Sequence, residues 1–322
     1  MVSLGVMIEG QEGLTWGRWE RLIEATERLG FDALWRSDHL YSVMGVYERP
    51  TLAVVPSLTA VALKSSRIEF GALVSPTTFR HPVHLAMEAV ALDQLSGGRY
   101  WLGVGAGWNI PEHAAFGYAL PPLKERMDRF EEALQVITRL WSGASVAFDG
   151  QHFQLAQARN TATPTRPSGV PIIIGGGGEK RTLRLVAEYA QEWNVTTMTR
   201  DEYAGKVAAL ERHCADVGRD PGTIARSLMV AHIIGRDRAE LRERGKRLQT
   251  AVPGWATQAP DVDEMLAQQR SRGALVGTPA EIAEEIRAWG AAGIDRIMLQ
   301  THDQEDLGAL ELFANDVLPQ VG

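Results

Sequence analysis

Cysteine is nearly absent from the chain: Cys214 is the only one in 322 residues. No intrachain disulfide can form, which fits a reducing compartment. Cys214 stands in a helical pattern without catalytic partners, so it reads as a small buried residue. Long apolar runs are missing too, and none approaches the ~18 residues that span a bilayer. The opening run Val2–Ile8 stops at Glu9, too early for a secretory core, so a cytoplasmic protein is expected. Positive charge is not in excess. The 33 Lys and Arg stand against 40 Asp and Glu, for a net charge of −7. Such a surface repels nucleic acid and anionic membrane alike, and neither is an expected partner, although a local basic patch can still hold one anionic cofactor. His81 and His84 lie three apart, but no carboxylate or histidine cluster accompanies them, and no metal site is expected. Two phosphate-binding signatures are absent. The Walker A order does not occur, and the third glycine of a G-x-G-x-x-G fingerprint would fall on Trp108.

What remains is a regular alternation of short apolar runs and longer amphipathic segments. Strands are expected at Val2–Ile8, Phe31–Trp35, Ile68–Val74, Tyr100–Gly105, Val170–Ile174, Trp193–Thr196, Ser227–Ile234 and Ile294–Leu299. Helical periodicity lies between them. The phrase helix, glycine, apolar residue, Asp, strand occurs at Gly30-Phe31-Asp32 and again at Gly293-Ile294-Asp295. Thr278-Pro279-Ala280-Glu281 carries a capping box with proline at the first helical position. Strict β-then-α alternation implies a parallel sheet, and eight units favour closure. The expected fold class is therefore α/β, a (β/α)8 TIM barrel. Residues 1–322 read as a single barrel domain, with insertions near 142–169 and 250–276. The first insertion includes a hairpin at Val146–Leu155, with Asp149-Gly150 as a two-residue turn. Excursions of this length from a barrel are often lids or subunit contacts.

Active sites of such barrels gather at the C-terminal ends of the strands. After the second strand comes Arg36-Ser37-Asp38-His39, where a histidine beside a carboxylate suits proton transfer. After the third, the segment Gly71–Pro82 offers hydroxyls to the edge of a ring. The fourth runs into Gly103-Val-Gly-Ala-Gly107-Trp108-Asn109, where alternate glycines leave room for a flat ring or a close backbone. The fifth runs into Gly175-Gly176-Gly177-Gly178-Glu179-Lys180-Arg181-Thr182, then a helix. Unencumbered N–H groups at a helix start make an anion site, and Lys180, Arg181 and Thr182 add charge and hydrogen bonds. Each segment also has a plainer structural use, as a tethered loop, a capped helix or close packing. Met7, Trp35 and Trp108 are candidates for an apolar wall, with core burial the competing assignment for Trp35.

These motifs, together with Leu123–Arg129 and Ala190-Gln-Glu-Trp-Asn194, come in an order that resembles the luciferase-like monooxygenase superfamily, and within it the F420-dependent oxidoreductase branch. The resemblance runs from the N-terminus to about residue 200 and is weaker beyond, mainly at Gly277–Leu299. It implies a barrel with the deazaflavin coenzyme F420 across the strand C-termini. It also implies a bulge at Leu73-Val74, often with a non-prolyl cis peptide, against the ring face. Asp38, Leu73, Val74, Ser75, Gly107, Trp108, Gly175–Glu179, Arg181 and Thr182 are then the cofactor contacts. His39 is the catalytic acid/base, with Asp38 orienting it or touching the cofactor. The chain departs from the branch's sugar-phosphate dehydrogenases. They carry tryptophan where this chain has Val43 and glutamate where it has Trp108, which argues against glucose 6-phosphate as substrate. FMN as cofactor of a two-component monooxygenase, a non-catalytic flavin-binding protein and a metal-dependent barrel hydrolase are the other readings. A small-molecule substrate and a homodimer are expected.

Overall fold

The computed structural model describes residues 1–252 and 259–322. In chain order the strands are β1 (Ser3–Ile8), β2 (Ala33–Arg36), β3 (Glu69–Ala72), β4 (Ser75–Pro76), β5 (Tyr100–Gly105), β6 (Val146–Asp149), β7 (Gln154–Ala158), β8 (Ile172–Gly175), β9 (Glu192–Thr196), β10 (Ala225–Ile234), β11 (Leu275–Gly277) and β12 (Arg296–Thr301). β1, β2, β3, β5, β8, β9, β10 and β12 pair in that order, all parallel. β12 returns to β1 with Ser3 opposite Arg296 and Ile8 opposite Thr301, which closes the ring. The eight expected strands are the eight staves, with ends shifted by a residue or two.

The helices that matter for the site are α1 (Trp16–Arg28), α2 (Val54–Lys64), α3 (Pro82–Ser96), α4 (Ile110–Ala115), α5 (Leu123–Leu140), α6 (Thr182–Tyr189), α7 (Arg200–Val217) and α8 (Arg238–Ala251). Their starts follow from local chemistry. The Thr15 side chain accepts from the backbone of Arg18 at the head of α1. Thr199 and Glu202 form a capping box on α7, as do Thr278 and Glu281 on the helix Pro279–Ala291, where the Glu281 carboxylate accepts from the Thr278 N–H at 2.8 Å. Each cap satisfies donors that the first turn would otherwise leave unpaired.

Three clusters of buried apolar residues form the cores, two of them at the barrel. The largest lies between the strands and the surrounding helices, and includes Trp19, Phe70, Phe130, Trp193 and Phe313. A second fills the barrel itself with Met7, Ala33, Trp35, Leu73, Ile173 and Met298. Met7 and Trp35 are therefore barrel filling rather than a wall of the mouth. Both are essentially inaccessible to solvent, whereas Trp108 is 64% exposed. Strand alternation explains the split, because side chains two apart along a stave share one face.

One local expectation needs correction. The hairpin β6–β7 forms, but its connection is Gly150–Phe153 rather than a two-residue Asp149-Gly150 turn. The carboxylate of Glu132 accepts the N–H groups of Gln151, His152 and Phe153 at 2.8–3.1 Å, so a residue from α5 fixes the loop. The second excursion carries the helix Val262–Ser271 and β11, which runs parallel to the end of β10. Met265 and Leu266 pack there with Leu241, Leu248 and Ile233. Part of that excursion, 253–258, lies outside the described residues. Among the described residues no helix is long and apolar enough to cross a membrane.

Candidate active site

β2 ends in a buried cation. Arg36 is fully enclosed and donates to Ser37 O, Leu52 O and Ser57 Oγ at 3.0, 2.9 and 2.7 Å, tying the loop after β2 to α2. Burial lowers its pKa to about 10, against the pull of Asp38 and Glu9. Ser37 Oγ accepts the Gly10 N–H at 3.0 Å and donates to Gln11, which joins this loop to the one after β1. The chain that presents His39 is thus held on both sides.

The His39 Nδ1–H donates to Glu112 Oε2 at 2.8 Å. The same carboxylate accepts the Leu40 N–H. Glu112 is completely buried, and it sits on α4 because Asn109 caps that helix, its side chain accepting from the Glu112 N–H at 3.1 Å. Burial alone depresses the His39 pKa, but the hydrogen bond and charge of Glu112, with Glu9 and Asp38 behind it, outweigh burial and raise it. Nε2 makes no hydrogen bond to the protein among the described residues. His39 therefore presents one titrating nitrogen while the other is locked.

Asp38 does not orient His39 through a hydrogen bond. Its carboxylate accepts from Ser75 Oγ at 2.7 Å and forms an ion pair with Arg80, so it joins the loop after β2 to the one after β3. The peptide Leu73–Val74 is cis. Leu73 points into the barrel core, and Ser75 resumes pairing, opposite Val104 of β5. Val74 stays partly exposed, and the glycines around it make its room. A Cβ on Gly105 would lie 2.9 Å from Val74 Cγ2, and one on Gly175 would lie 3.2 Å from Val74 Cγ1. The space left at Gly105 and Gly175 is thus filled by Val74.

After β5, Gly107 takes φ +80°, and a Cβ there would lie 2.6 Å from Thr78 Oγ1. Its carbonyl accepts from Arg126. This turn delivers Trp108, whose ring meets His39 edge-on at 5.8 Å between centroids.

After β8 the four glycines divide their polar groups. Gly176 O accepts from Trp193 Nε1 at 2.8 Å, Gly177 O from Lys206 Nζ at 2.9 Å, and Glu179 O from the His213 ring at 2.7 Å. The Gly177 and Gly178 N–H groups, by contrast, make no hydrogen bond to the protein among the described residues. Gly178 leaves room for the Thr182 hydroxyl at the start of α6, since a Cβ there would lie 2.8 Å from Thr182 Oγ1. Donors without acceptors at a helix start suit a phosphate. Arg181 has other partners. It pairs with Asp128 at 2.6 Å and Glu131 at 3.1 Å on α5, while Lys206, which also pairs with Glu179 at 3.6 Å, is held against the loop.

The named residues form one line of contact across the mouth: Gly175 to Val74, Ser75 to Asp38, His39 to Glu112 and Trp108. Glu112, Glu9, Arg80 and Lys206 belong to this neighbourhood and were not legible as such in the sequence. For Glu112 a signal existed, the Asn109-x-x-Glu112 spacing that marks a capped helix. Glu9 carried none. Its buried carboxylate, which burial would raise, is instead held low by the amides of Gln11 and Gln300 and by the charges of His302 and His39.

A family model described as luciferase-like monooxygenase matches residues 3–296. An F420-dependent glucose-6-phosphate dehydrogenase of Kineococcus radiotolerans is 28% identical over 307 residues, covering 91% of this chain and 89% of that protein. An F420-dependent hydroxymycolic acid dehydrogenase of Mycobacterium tuberculosis is 32% identical over 248 residues, covering 74% and 65%. An F420-dependent secondary alcohol dehydrogenase, solved with an F420-acetone adduct, superposes with a TM-score of 0.84 at 20% identity, covering 100% of this chain and 99% of that one.

Proposed function

This chain belongs to the luciferase-like monooxygenase family of oxidoreductases, and from that premise we propose that it is an F420-dependent dehydrogenase or reductase of a small organic substrate. The observation that carries the reading is the His39–Glu112 pair, a proton-transfer group at the end of a contact line that starts at an anion-accepting loop. The relatives named above support the choice of cofactor.

The residues fit the cofactor. The Gly177 and Gly178 N–H groups, with Lys206 beside them, suit its phosphate end. Val74, with Leu73 and Ser75 on either side, would give its ring an apolar support, and Gly107, with no Cβ, would leave Thr78 and Trp108 free to flank it. Gly175, Gly176, Glu179 and Thr182 would complete the loop that holds it. When bound, the deazaflavin supplies two-electron hydride chemistry. The protein's part is the proton. With Nδ1–H fixed on Glu112, neutral His39 accepts at Nε2 and protonated His39 donates there. The carboxylate favours the charged ring, so the same residue serves both directions. Asp38 acts indirectly, by holding Ser75 and Arg80 in register with the loop that carries His39.

Side-by-side fluorescence titrations of the purified protein with F420 and with FMN test this reading. Saturable F420 binding with much weaker FMN binding is the expected result. The reverse preference overturns it in favour of a flavin monooxygenase.

A further inference from the structure

The two loops that flank His39 have a composition unlike the rest of the surface. Residues 37–53 and 106–122 contain one Arg or Lys between them, Arg49. That guanidinium is engaged, donating to Glu12 Oε2 at 3.1 Å and to the backbone of Ala251. Apart from Glu48, the large side chains that these loops leave in solvent are apolar or aromatic: Tyr47 is 58% exposed, Ile110 71%, Phe116 50% and Tyr118 39%, beside Trp108. They are not scattered. Tyr41 packs against Tyr47 at 4.8 Å and Phe116 at 5.5 Å between centroids, which joins the two loops into one face. Trp108, from the second of these loops, meets the imidazole of His39. Isolated exposed apolar residues are ordinary, but a contiguous group around a catalytic side chain marks a ligand surface.

Resting on the reading that substrate meets cofactor at His39, we infer that Trp108, Ile110, Phe116, Tyr41 and Tyr47 form the substrate-binding rim, and that it selects uncharged substrates with an aromatic or alkyl body. The reacting hydroxyl or carbonyl points at His39, and the body lies on the rim. A phosphorylated sugar finds no free cation in either loop and places many hydroxyls against apolar side chains, which strips them of water without returning hydrogen bonds. The occupant is a small molecule because these side chains come from the two loops that carry His39 and its ring partner Trp108.

Saturation-transfer NMR on the F420-saturated protein tests this, with acetophenone and glucose 6-phosphate as probes. Acetophenone is expected to bind, and glucose 6-phosphate neither to bind comparably nor to displace it. The double variant Ile110→Ser/Phe116→Ser is expected to weaken acetophenone about tenfold, the scale of removing apolar contacts from a pocket. Leu63→Ser, an exposed apolar residue of α2 on another face, is expected to change nothing. Both substitutions lie in solvent, and circular dichroism checks that the fold persists. Equal binding of glucose 6-phosphate, or undiminished acetophenone binding in the double variant, overturns the inference. So does a shift from dimer to monomer in sedimentation of that variant, which would make the face a contact between copies. The failure of the functional reading looks different. F420 then does not bind, while acetophenone still binds the free protein and still loses affinity in the double variant.

Discussion

Arg296 at the N-terminal end of the barrel and His39 at the C-terminal end are both cations or potential cations set among carboxylates, and their surroundings give them opposite fates. Arg296 pairs with Glu69 at 2.6 Å and Glu192 at 3.4 Å, and donates to Ser3 Oγ at 3.2 Å. Its guanidinium lies over Trp35 at 5.9 Å and Trp101 at 5.6 Å. All of these groups come from the first residues of their staves or from the aromatic layer just above. The result is a plug in which the cation faces two carboxylates and two rings. His39 has one carboxylate, one edge-on ring and an unbonded Nε2. The same elements, a cation, buried carboxylates and tryptophan, stabilise at one end and leave a reactive atom at the other. The difference is enclosure: Arg296 is ringed by two carboxylates and two indoles, though its Nη1 reaches Glu192 only as an ion pair without a hydrogen bond, whereas His39 keeps Nε2 unbonded at the mouth.

The largest expected effect comes from removing the reactive atom. His39→Ala is expected to lower turnover by about 10²- to 10⁴-fold, the usual contribution of a positioned acid/base. F420 affinity, read by fluorescence titration, is expected to move by less than about threefold, since a missing imidazole removes no charge from the phosphate loop. If affinity collapses along with turnover, His39 is part of the cofactor cradle and the division of labour drawn above is wrong.

At the closed end, Arg296→Met is expected to cost stability and leave the mouth alone. Breaking a buried pair strands its carboxylates, at a cost of about 3 kcal/mol. The cost should depend on pH in a particular way. Burial raises the Glu192 pKa despite the opposing pull of Arg296, so the folded state binds that proton more readily than the unfolded chain. Stability from this group falls as pH rises from about 4.5 through the raised value. Without Arg296 the raised value climbs further. Urea unfolding should therefore show a larger deficit for the variant at pH 8 than at pH 5. A variant that unfolds normally at both pH values would show that the plug's ion pairs only offset the cost of burying them.

The sequence disclosed the two ends unequally. The staves were legible because short apolar runs and glycine stops are local, and Thr278–Glu281 announced its own helix. His39, the cis Leu73–Val74 step and the loop Gly175–Thr182 were legible as motifs of a resembling family. The partners were not. Glu112 lies 73 residues from His39 and Arg296 lies 227 from Glu69, and pairing over such separations is set by barrel closure rather than by any neighbour in the chain. Arg181 shows the converse. As a cation after four glycines it reads as a phosphate ligand, yet α5 places Asp128 and Glu131 against it. Local composition announced the charge but not the carboxylates that α5 brings to it.

The smallest and most discriminating change is Glu112→Gln, which keeps the shape of the pair and reverses its hydrogen bond. The amide oxygen can still accept the Leu40 N–H, so the loop should hold. The amide nitrogen then faces Nδ1 and donates to it, which moves the imidazole proton to Nε2. A His39 in that tautomer can donate a proton but no longer accept one there. Turnover in the direction that needs a base, substrate oxidation, is expected to fall about tenfold or more, and the reducing direction less. Thermodynamics should follow. A histidine whose pKa is raised on folding adds stability below about pH 6.5 that disappears as pH rises through the folded value. The stability gap between wild type and variant should then be widest near pH 5.5 and close at alkaline pH. NMR titration of the His39 ring reads the cause directly, and an unchanged midpoint in the variant would remove Glu112 from the mechanism while leaving it in the fold.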